Sequence, residues 1–273
     1  MLTRRCGVVG DPIAHSLSPA LHRAAYAELG LDWTYDHHRV GSGDLGDFLA
    51  GLGGELRGLS LTMPLKREAL PLADRLTDRA RLAGAVNTLV IEDDGTRVGD
   101  NTDLPGAVAA IRERTSTPLT TATILGGGAT ATSVGLALAD LGVRTIVLGV
   151  REEARAAETL AALRAHPAAP EVVVSTLGAG PAGSDILVST IPASAQTAEL
   201  VAGYADVPVV FDVLYDPWPT PLVAAAADRA VVGGLDLLVH QAVLQVELFT
   251  GRTVAVDVLR DAGERALAAR RAG

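Results

Sequence analysis

The sequence of 273 residues has one cysteine, Cys6, and only 3% aromatic residues. A single cysteine can form neither an intrachain disulfide nor a cysteine-rich metal site, which is typical of proteins from reducing compartments. The longest apolar runs, 207–214 and 222–227, are far shorter than the roughly 20 residues of a membrane-spanning helix. The first apolar stretch is also too short for a signal peptide. We therefore expect a cytoplasmic protein without a membrane span.

Basic residues are scarce relative to acidic ones. Lysine and arginine together number 23 and aspartate and glutamate 32, which gives a formal net charge of −9. No basic run is longer than two residues, whereas nucleic-acid binding needs a face of clustered basic side chains. The composition argues against a nucleic-acid partner and leaves both a monomer and a homodimer open.

Lysine itself is almost absent. Lys66 is the only lysine beside 22 arginines, and the only asparagines are Asn87 and Asn101. Arginine cannot lose its proton in a protein, whereas lysine can, so a position that transfers a proton cannot change from lysine to arginine. Lys66 is therefore a candidate for proton transfer, with an incidental surface lysine as the alternative. No second cysteine and no His-x-x-x-His pair is present, so a metal is not required.

Apolar and helix-forming segments alternate along the first hundred residues, which predicts an α/β fold. The predicted strands are 4–9, 33–40, 56–62 and a hairpin of 86–92 with 97–98, and the predicted helices are 20–29, 44–52 and 71–82. Ser18 as N-cap, Pro19 at the first helical position and Gly30 beyond the last residue delimit the first helix.

The strands predicted after residue 120 are apolar throughout instead of alternating. They are 122–125, 145–150, 172–176, 185–190 and 207–213, and the helices are 104–114, 132–141, 235–250 and 256–271. Continuous apolar runs are typical of parallel strands that helices cover on both faces.

A glycine-rich turn follows the strand 122–125. It reads Gly126-x-Gly128-x-x-Ala131, the dinucleotide-binding pattern with an alanine in third place. Glycines in such a turn let backbone amides approach a pyrophosphate at the helix N-terminus. The sequence therefore predicts a dinucleotide site.

The end of the next strand indicates which dinucleotide binds. Arg151 stands where an arginine pairs with the 2′-phosphate of NADP, and we place Arg155 one turn further along the same helix face. Glu152 and Glu153 put negative charge beside that position, although acids in a first helical turn also complement the helix dipole. We expect NADP, with NAD as the alternative.

Six segments together resemble the shikimate dehydrogenase family in order and spacing. They are 10–22, which contains Ser16-Leu17-Ser18-Pro19, 58–66, 83–88 (Ala-Gly-Ala-Val-Asn-Thr), 99–103 (Gly-Asp-Asn-Thr-Asp), 211–217 and 234–247. The resemblance covers essentially the whole chain, and the lone lysine and both asparagines fall inside these segments.

The resemblance implies two domains. A substrate-binding α/β domain of residues 1–103 is completed by helices in 236–273, and a Rossmann-type dinucleotide-binding domain of residues 104–235 is inserted between them. It implies reversible reduction of 3-dehydroshikimate to shikimate with NADPH, in the biosynthesis of chorismate and the aromatic amino acids. The expected partner is thus a small-molecule substrate.

The resemblance also implies roles for individual residues. Lys66 is the general acid/base, and Asp103 is its hydrogen-bonded partner. Ser16 and Ser18 hold the substrate carboxylate, and Gly234 offers its backbone to the nicotinamide amide. The residues expected to bind the ring hydroxyls or the carboxylate are Thr62, Asn87, Tyr215 and Gln241.

Several departures from the family pattern, nearly all of them on the cofactor side, leave alternatives open. Ser60 stands where asparagine is usual, and Thr132 stands where arginine is frequent in the glycine turn. One alternative is a quinate or aminoshikimate dehydrogenase, possibly using NAD. The other is a ligand-sensing domain that has lost the chemistry, although such a domain has no need to keep Lys66 and Asp103.

Overall fold

The computed structural model describes residues 3–179 and 183–272. The chain divides into two compact units, Met1–Thr102 with Leu238–Gly273, and Asp103–Leu237. The domain boundaries expected from the sequence, after residues 103 and 235, differ from these by one and two residues. Within the described ranges, no helix has both the length and the apolar character needed to cross a bilayer.

The first unit is built on a mixed six-stranded sheet. Its elements up to residue 102 are β1 (Arg5–Gly10), α1 (Ser18–Glu28), β2 (Thr34–Arg39), α2 (Leu45–Ala50), β3 (Leu56–Leu61), β4 (Arg75–Leu76), α3 (Asp78–Ala83), β5 (Thr88–Ile91) and β6 (Arg97–Asp100). The strand order is β2-β1-β3-β5-β6-β4. Strand β1 runs parallel to β2 and β3, whereas β5 is antiparallel to β3 and β6.

The second unit is an all-parallel sheet between helices. Its elements are α4 (Asp103–Arg114), β7 (Thr121–Leu125), α5 (Ala129–Asp140), β8 (Thr145–Val150), α6 (Ala157–Ala165), β9 (Glu171–Thr176), β10 (Ile186–Ser189), α7 (Ala198–Gly203), β11 (Val209–Asp212), α8 (Pro221–Ala224) and β12 (Ala230–Val232). The strand order β12-β11-β10-β7-β8-β9 is that of a doubly wound Rossmann sheet. The predicted α/β class and the parallel pairing are confirmed.

Two helices close the chain, α9 (Gly234–Thr250) and α10 (Val256–Ala272). Helix α10 packs along α1 in the first unit. Helix α9 brings Phe249 against β3, where a Cβ on Gly58 would lie 2.2 Å from the Phe249 ring. Gly58 is therefore required for α9 to pack this closely on the sheet.

The prediction of one helix over 71–82 is wrong. The chain forms a 3₁₀ turn at Leu70–Leu72, then β4, and only then α3. Thr77 ends the extended stretch because its Oγ1 accepts the Ala80 amide at 3.3 Å and so caps α3. Pairing of β4 with β6 is possible because Gly99 has no side chain, and a Cβ there would lie 2.7 Å from Leu76.

Candidate active site

The turn that carries Ser16 and Ser18 follows β1. The Ser16 hydroxyl accepts the Ser18 amide at 3.3 Å, and α1 starts at Ser18 after Leu17, which makes no side-chain cap. The predicted N-cap role of Ser18 is wrong, because Ser18 is already the first residue of the helix and Leu17 occupies the N-cap position. Arg270 of α10 donates to the carbonyls of His15 (2.9 Å) and Ser16 (3.2 Å). The C-terminal helix thus fixes the turn that presents both serines.

The loop between Thr62 and Lys66 is held at both ends by backbone hydrogen bonds. Thr62 N donates to Val9 O at 3.0 Å, and Val86 N donates to Lys66 O at 2.7 Å. A Cβ on Gly10 would lie 2.4 Å from Thr62 Cγ2, so the loop uses the space that this glycine leaves. The Lys66 side chain is partly buried. Its backbone position is therefore set by β1 and by the segment before β5.

Asn87 and Gln241 are buried and bonded to each other although 154 positions separate them in the sequence. Asn87 Nδ2 donates to Gln241 Oε1 (3.3 Å) and to Thr102 Oγ1 (2.9 Å). Asn87 Oδ1 accepts from Thr102 N (2.7 Å) and Thr88 Oγ1 (2.8 Å). The structure thus brings two of the predicted substrate residues into one polar cluster and adds Thr88 and Thr102.

Gln245, which was not predicted, extends this cluster from the next turn of α9. Its Nε2 donates to Thr88 Oγ1 at 2.8 Å, and its Oε1 accepts from Ser60 Oγ at 2.7 Å. Tyr35 donates to Ser60 Oγ at 2.6 Å. The Ser60 hydroxyl therefore both accepts a hydrogen bond, from Tyr35, and donates one, to Gln245.

His22 is a neutral member of the same network. Its Nε2 lies 3.2 Å from Gln245 Oε1, and its ring stacks on Tyr35 with centroids 4.1 Å apart. Burial lowers the pKa of His22 to about 3, so the ring is uncharged near neutral pH. Its contacts therefore support a structural role for His22 and not an acid/base role.

A buried ion pair holds the segment that leads to Asp103. Asp100 accepts two hydrogen bonds from Arg79 of α3, and its Oδ1 also accepts from Thr77 Oγ1 and Asn101 N, both at 2.7 Å. The backbone carbonyl of Asp100 accepts Asn87 N at 3.1 Å. Burial raises the pKa of Asp100, but the donors and the Arg79 charge outweigh it, so the pKa lies below its ordinary 3.8. Asp103 itself is buried in the first turn of α4.

In the second unit, the glycine turn lies between β7 and α5 as predicted, although α5 begins at Ala129 and not at 132. Gly126 has φ +111°, and a Cβ there would lie 2.2 Å from Thr190 Oγ1, so only glycine fits. The space where a Cβ on Gly128 would point is open. Ala131 is fully buried. The turn is therefore exposed at Gly128, beside the N-terminus of α5, which no side chain caps.

Thr132 stabilises the glycine turn through hydrogen bonds. Thr159 of α6 donates to Gly127 O at 2.8 Å, and Thr132 Oγ1 lies 2.7 Å from Thr159 Oγ1 and 3.2 Å from Gly128 O. Each hydroxyl has one proton, and Thr159 donates its proton to Gly127 O. Thr132 is therefore the donor in its contact with Thr159. Thr132 is fully buried, so it supports the turn and offers no group to a bound phosphate.

Arg151 and Arg155 do not share a helix face, so that part of the prediction is wrong. Arg151 directly follows β8, and a 3₁₀ turn covers Glu153–Ala156 before α6 begins. Arg155 pairs with Glu152 at 3.1 Å, with both side chains exposed. An exposed pair is worth little, so a stronger anion can displace Glu152 from Arg155.

Gly234, at the start of α9, lies against the segment that carries Tyr215. Gly234 N donates to Leu214 O at 3.2 Å, and a Cβ on Gly234 would lie 2.3 Å from Val213 O. Tyr215 is partly buried and directly follows Leu214. The structure thus brings these two predicted site residues together in the second unit.

A metal centre was not expected, and the described part of the chain has no group of three or more His, Cys, Asp or Glu side chains able to hold a metal ion.

The chain was compared with family models, curated proteins and solved structures. Two models match: the shikimate dehydrogenase substrate binding domain over residues 8–89, and the shikimate 5′-dehydrogenase C-terminal domain over residues 234–262. The shikimate dehydrogenase (NADP(+)) of Methylobacterium radiotolerans is 39% identical over 275 residues, with 95% of this chain and 96% of the relative covered.

Solved structures show the same similarity. Shikimate dehydrogenase of Mycobacterium tuberculosis is 41% identical with a TM-score of 0.84, covering 97% of this chain and 99% of that chain. Quinate dehydrogenase of Corynebacterium glutamicum in complex with NAD is 28% identical with a TM-score of 0.85, covering 96% and 99%. With both units and the sequence matched over nearly the whole length, the chain belongs to the shikimate dehydrogenase family.

Proposed function

We propose that the protein is an NADP-dependent shikimate dehydrogenase, which interconverts 3-dehydroshikimate and shikimate. The observation that carries this proposal is the buried bond between Asn87 and Gln241, because it joins two predicted substrate residues from distant parts of the chain. A ring with several hydroxyls needs such a polar lining, since each unpaired buried group costs about 1–3 kcal/mol. The NADP-dependent shikimate dehydrogenases among the relatives support the proposal.

The two units have separate roles in the proposal. The unit of Met1–Thr102 with Leu238–Gly273 binds the substrate, and the unit Asp103–Leu237 binds the dinucleotide. Ser16 and Ser18 hold the carboxylate. The ring hydroxyls or the carboxylate are bound by Thr62, Asn87, Tyr215 and Gln241.

Lys66 is the proposed general acid and base. NADPH, when bound, supplies the hydride to the C3 carbon of 3-dehydroshikimate. The Lys66 ammonium group donates a proton to the C3 oxygen in that direction, and the neutral Lys66 amine accepts the hydroxyl proton in the other. Asp103 orients the ammonium group and stabilises its charge.

The residues of the glycine turn fit NADP. Gly126, Gly128 and the N-terminus of α5, which no side chain caps, suit a pyrophosphate, and Ala131 keeps the helix close to the sheet. Arg151 and Arg155 bind the 2′-phosphate, and Gly234 binds the nicotinamide amide through its backbone.

Location, oligomeric state and binding partners are also proposals. The protein acts in the cytoplasm as a monomer or homodimer, without a nucleic-acid or membrane partner. The acidic composition, with net charge −9, and the single cysteine support this assignment.

A four-way assay tests the function against its alternatives. Reduction of NADP+ or NAD+ is followed by absorbance with shikimate or quinate as substrate. We expect turnover with shikimate and NADP+ only. Turnover with quinate or with NAD+ would instead identify the alternative dehydrogenase, and inactivity in all four arms would support the ligand-sensing domain.

Replacing Arg151 by alanine is expected to weaken NADP+ binding by about 10–100-fold and NAD+ binding by less than about twofold, because only NADP+ has the 2′-phosphate that a charged donor recognises. Dissociation constants from calorimetry check this. Arg164→Ala, which removes an exposed arginine near the end of α6, controls for the change in net charge. Equal losses for both dinucleotides would contradict the assignment.

A further inference from the structure

Asp212, the last residue of β11, is a fully buried acid for which the proposed reaction has no direct use. Within residues 3–179 and 183–272, the groups that affect its ionisation are neutral donors, and no basic side chain pairs with it. A buried carboxylate without a cation is costly, so its presence at this position needs a reason.

The donors to Asp212 come from three separate segments. Gln196, beyond β10, donates to Oδ2 at 2.7 Å, and Thr220, before α8, donates to the same oxygen at 2.8 Å. Leu214 N donates to Oδ1 at 3.1 Å. Burial raises the pKa of Asp212 above its ordinary value, while these donors and the Ser189 side chain oppose the rise and so stabilise the charged form. Both carboxylate oxygens are therefore needed as acceptors.

The hydrogen bond from Leu214 N to Asp212 connects this carboxylate to residues of the proposed site. Tyr215 is the next residue, and the Leu214 carbonyl accepts the Gly234 amide at 3.2 Å. Gly234 packs so closely that a Cβ would lie 2.5 Å from Leu214 O. The Leu214 peptide, meaning the group that joins Val213 to Leu214, contains both Leu214 N and Val213 O, and a Cβ on Gly234 would lie 2.3 Å from that carbonyl oxygen. A shift of this peptide therefore disturbs the packing of Gly234 and the backbone that leads to Tyr215.

We propose that Asp212 is a positioning residue that fixes the Leu214 peptide and thereby holds Tyr215 and Gly234 in their binding positions. The inference rests on the proposed function, in which Tyr215 binds the substrate and Gly234 binds the nicotinamide. Asp212 itself contacts neither ligand in this assignment.

Asp212→Asn tests the proposal with little change in volume. An amide group offers only one acceptor oxygen, so its NH2 must face either Leu214 N or the two donors at the other oxygen. We expect faster hydrogen exchange at the Leu214 and Gly234 amides and a fall in kcat of about tenfold, since small displacements of binding groups are costly to turnover. Binding of 2′,5′-ADP, which lacks the nicotinamide, is expected to change by less than about twofold.

Two threonines that cap short helices separate the loss of a helix cap from the loss of the hydrogen bond to Asp212. Thr220 and Thr197 each cap a short helix, by accepting Val223 N and Leu200 N at 3.3 Å. Only Thr220 also donates to Asp212. Thr220→Val is expected to lower both the thermal midpoint and kcat, because Thr220 is fully buried and donates to Asp212. Thr197→Val, at an exposed cap, is expected to lower the thermal midpoint by less and to leave kcat unchanged. Thr220→Ser, which keeps the hydroxyl, is expected to restore kcat.

The proposal is overturned if Asp212→Asn leaves exchange at Leu214 and Gly234 unchanged, or if Thr197→Val lowers kcat as much as Thr220→Val. An unmodified enzyme that fails to oxidise shikimate would overturn the proposed function instead. In that case, the exchange rates of the Asp212→Asn variant still decide whether Asp212 positions the Leu214 peptide.

Discussion

Replacing Lys66 by alanine is expected to lower kcat for shikimate oxidation by about 10³-fold, within the range for loss of a general acid or base. The loop from Thr62 to Lys66 is held by backbone bonds to Val9 and Val86, which the substitution leaves in place. KM for shikimate is therefore expected to stay within about threefold of its original value. Steady-state kinetics with saturating NADP+ measures both constants.

Lys66→Arg separates charge from proton transfer. Arginine keeps the positive charge but does not release a proton near neutral pH, so this variant is expected to be as inactive as Lys66→Ala. A small primary amine in the buffer is expected to restore part of the turnover in Lys66→Ala and none in Lys66→Arg. An arginine variant with more than about a tenth of the original kcat would show that Lys66 acts only through its charge.

Removing Arg79 is expected to produce a large loss of stability. In the Arg79–Asp100 pair the aspartate side chain is only 2% exposed and the arginine 35% exposed. Arg79→Ala leaves the Asp100 carboxylate buried without a cation, which costs about 3 kcal/mol, the lower end for a broken buried pair because water reaches the arginine. Urea unfolding at pH 7 measures the loss.

Arg81 provides the control for Arg79. It lies two residues further along α3 and pairs with Asp78 at 3.0 Å, with both side chains exposed. Arg81→Ala is expected to change the free energy of unfolding by less than about 0.5 kcal/mol. Similar losses for the two variants would show that burial of Asp100 does not determine the strength of its pair.

The Arg79–Asp100 pair predicts how the stability of the protein depends on pH. Because the pKa of Asp100 is lowered on folding, the folded state binds its proton more weakly than the unfolded chain. The stabilisation is therefore complete above the ordinary pKa of 3.8 and is lost as the pH falls through the lower folded value. The difference in urea midpoint between the original protein and Asp100→Asn is expected to shrink below pH 4, at about the ordinary pKa. A constant difference down to pH 2 would contradict this expectation.

The sequence predicted those parts of the fold that leave a local signal. Continuous apolar strands and a glycine turn identified the parallel sheet, and β8 was predicted with the bounds that the structure has. Strand β12 was missed, because its three residues are too few to show a pattern. The helix predicted over 71–82 failed because β4 depends on pairing with β6, which is distant in the sequence.

The candidate site shows the same limit. Motif positions indicated Asn87 and Gln241 but not Gln245, whose partners Ser60 and Thr88 lie more than 150 residues away. Its spacing of four residues from Gln241 on one helix was the only available signal. Asp212 lay inside a recognised motif, yet its role depends on donors from three segments and needs the three-dimensional structure.

The isolation of Lys66 among arginines has a practical consequence for spectroscopy. Growth with ¹⁵N-labelled lysine places a single side-chain nitrogen label in the whole protein, because the sequence has no other lysine. Its resonance can be followed during ligand titration without any assignment step or mutation. The partly buried amine at the end of a loop held by backbone bonds thus becomes an isotopic reporter of each bound state.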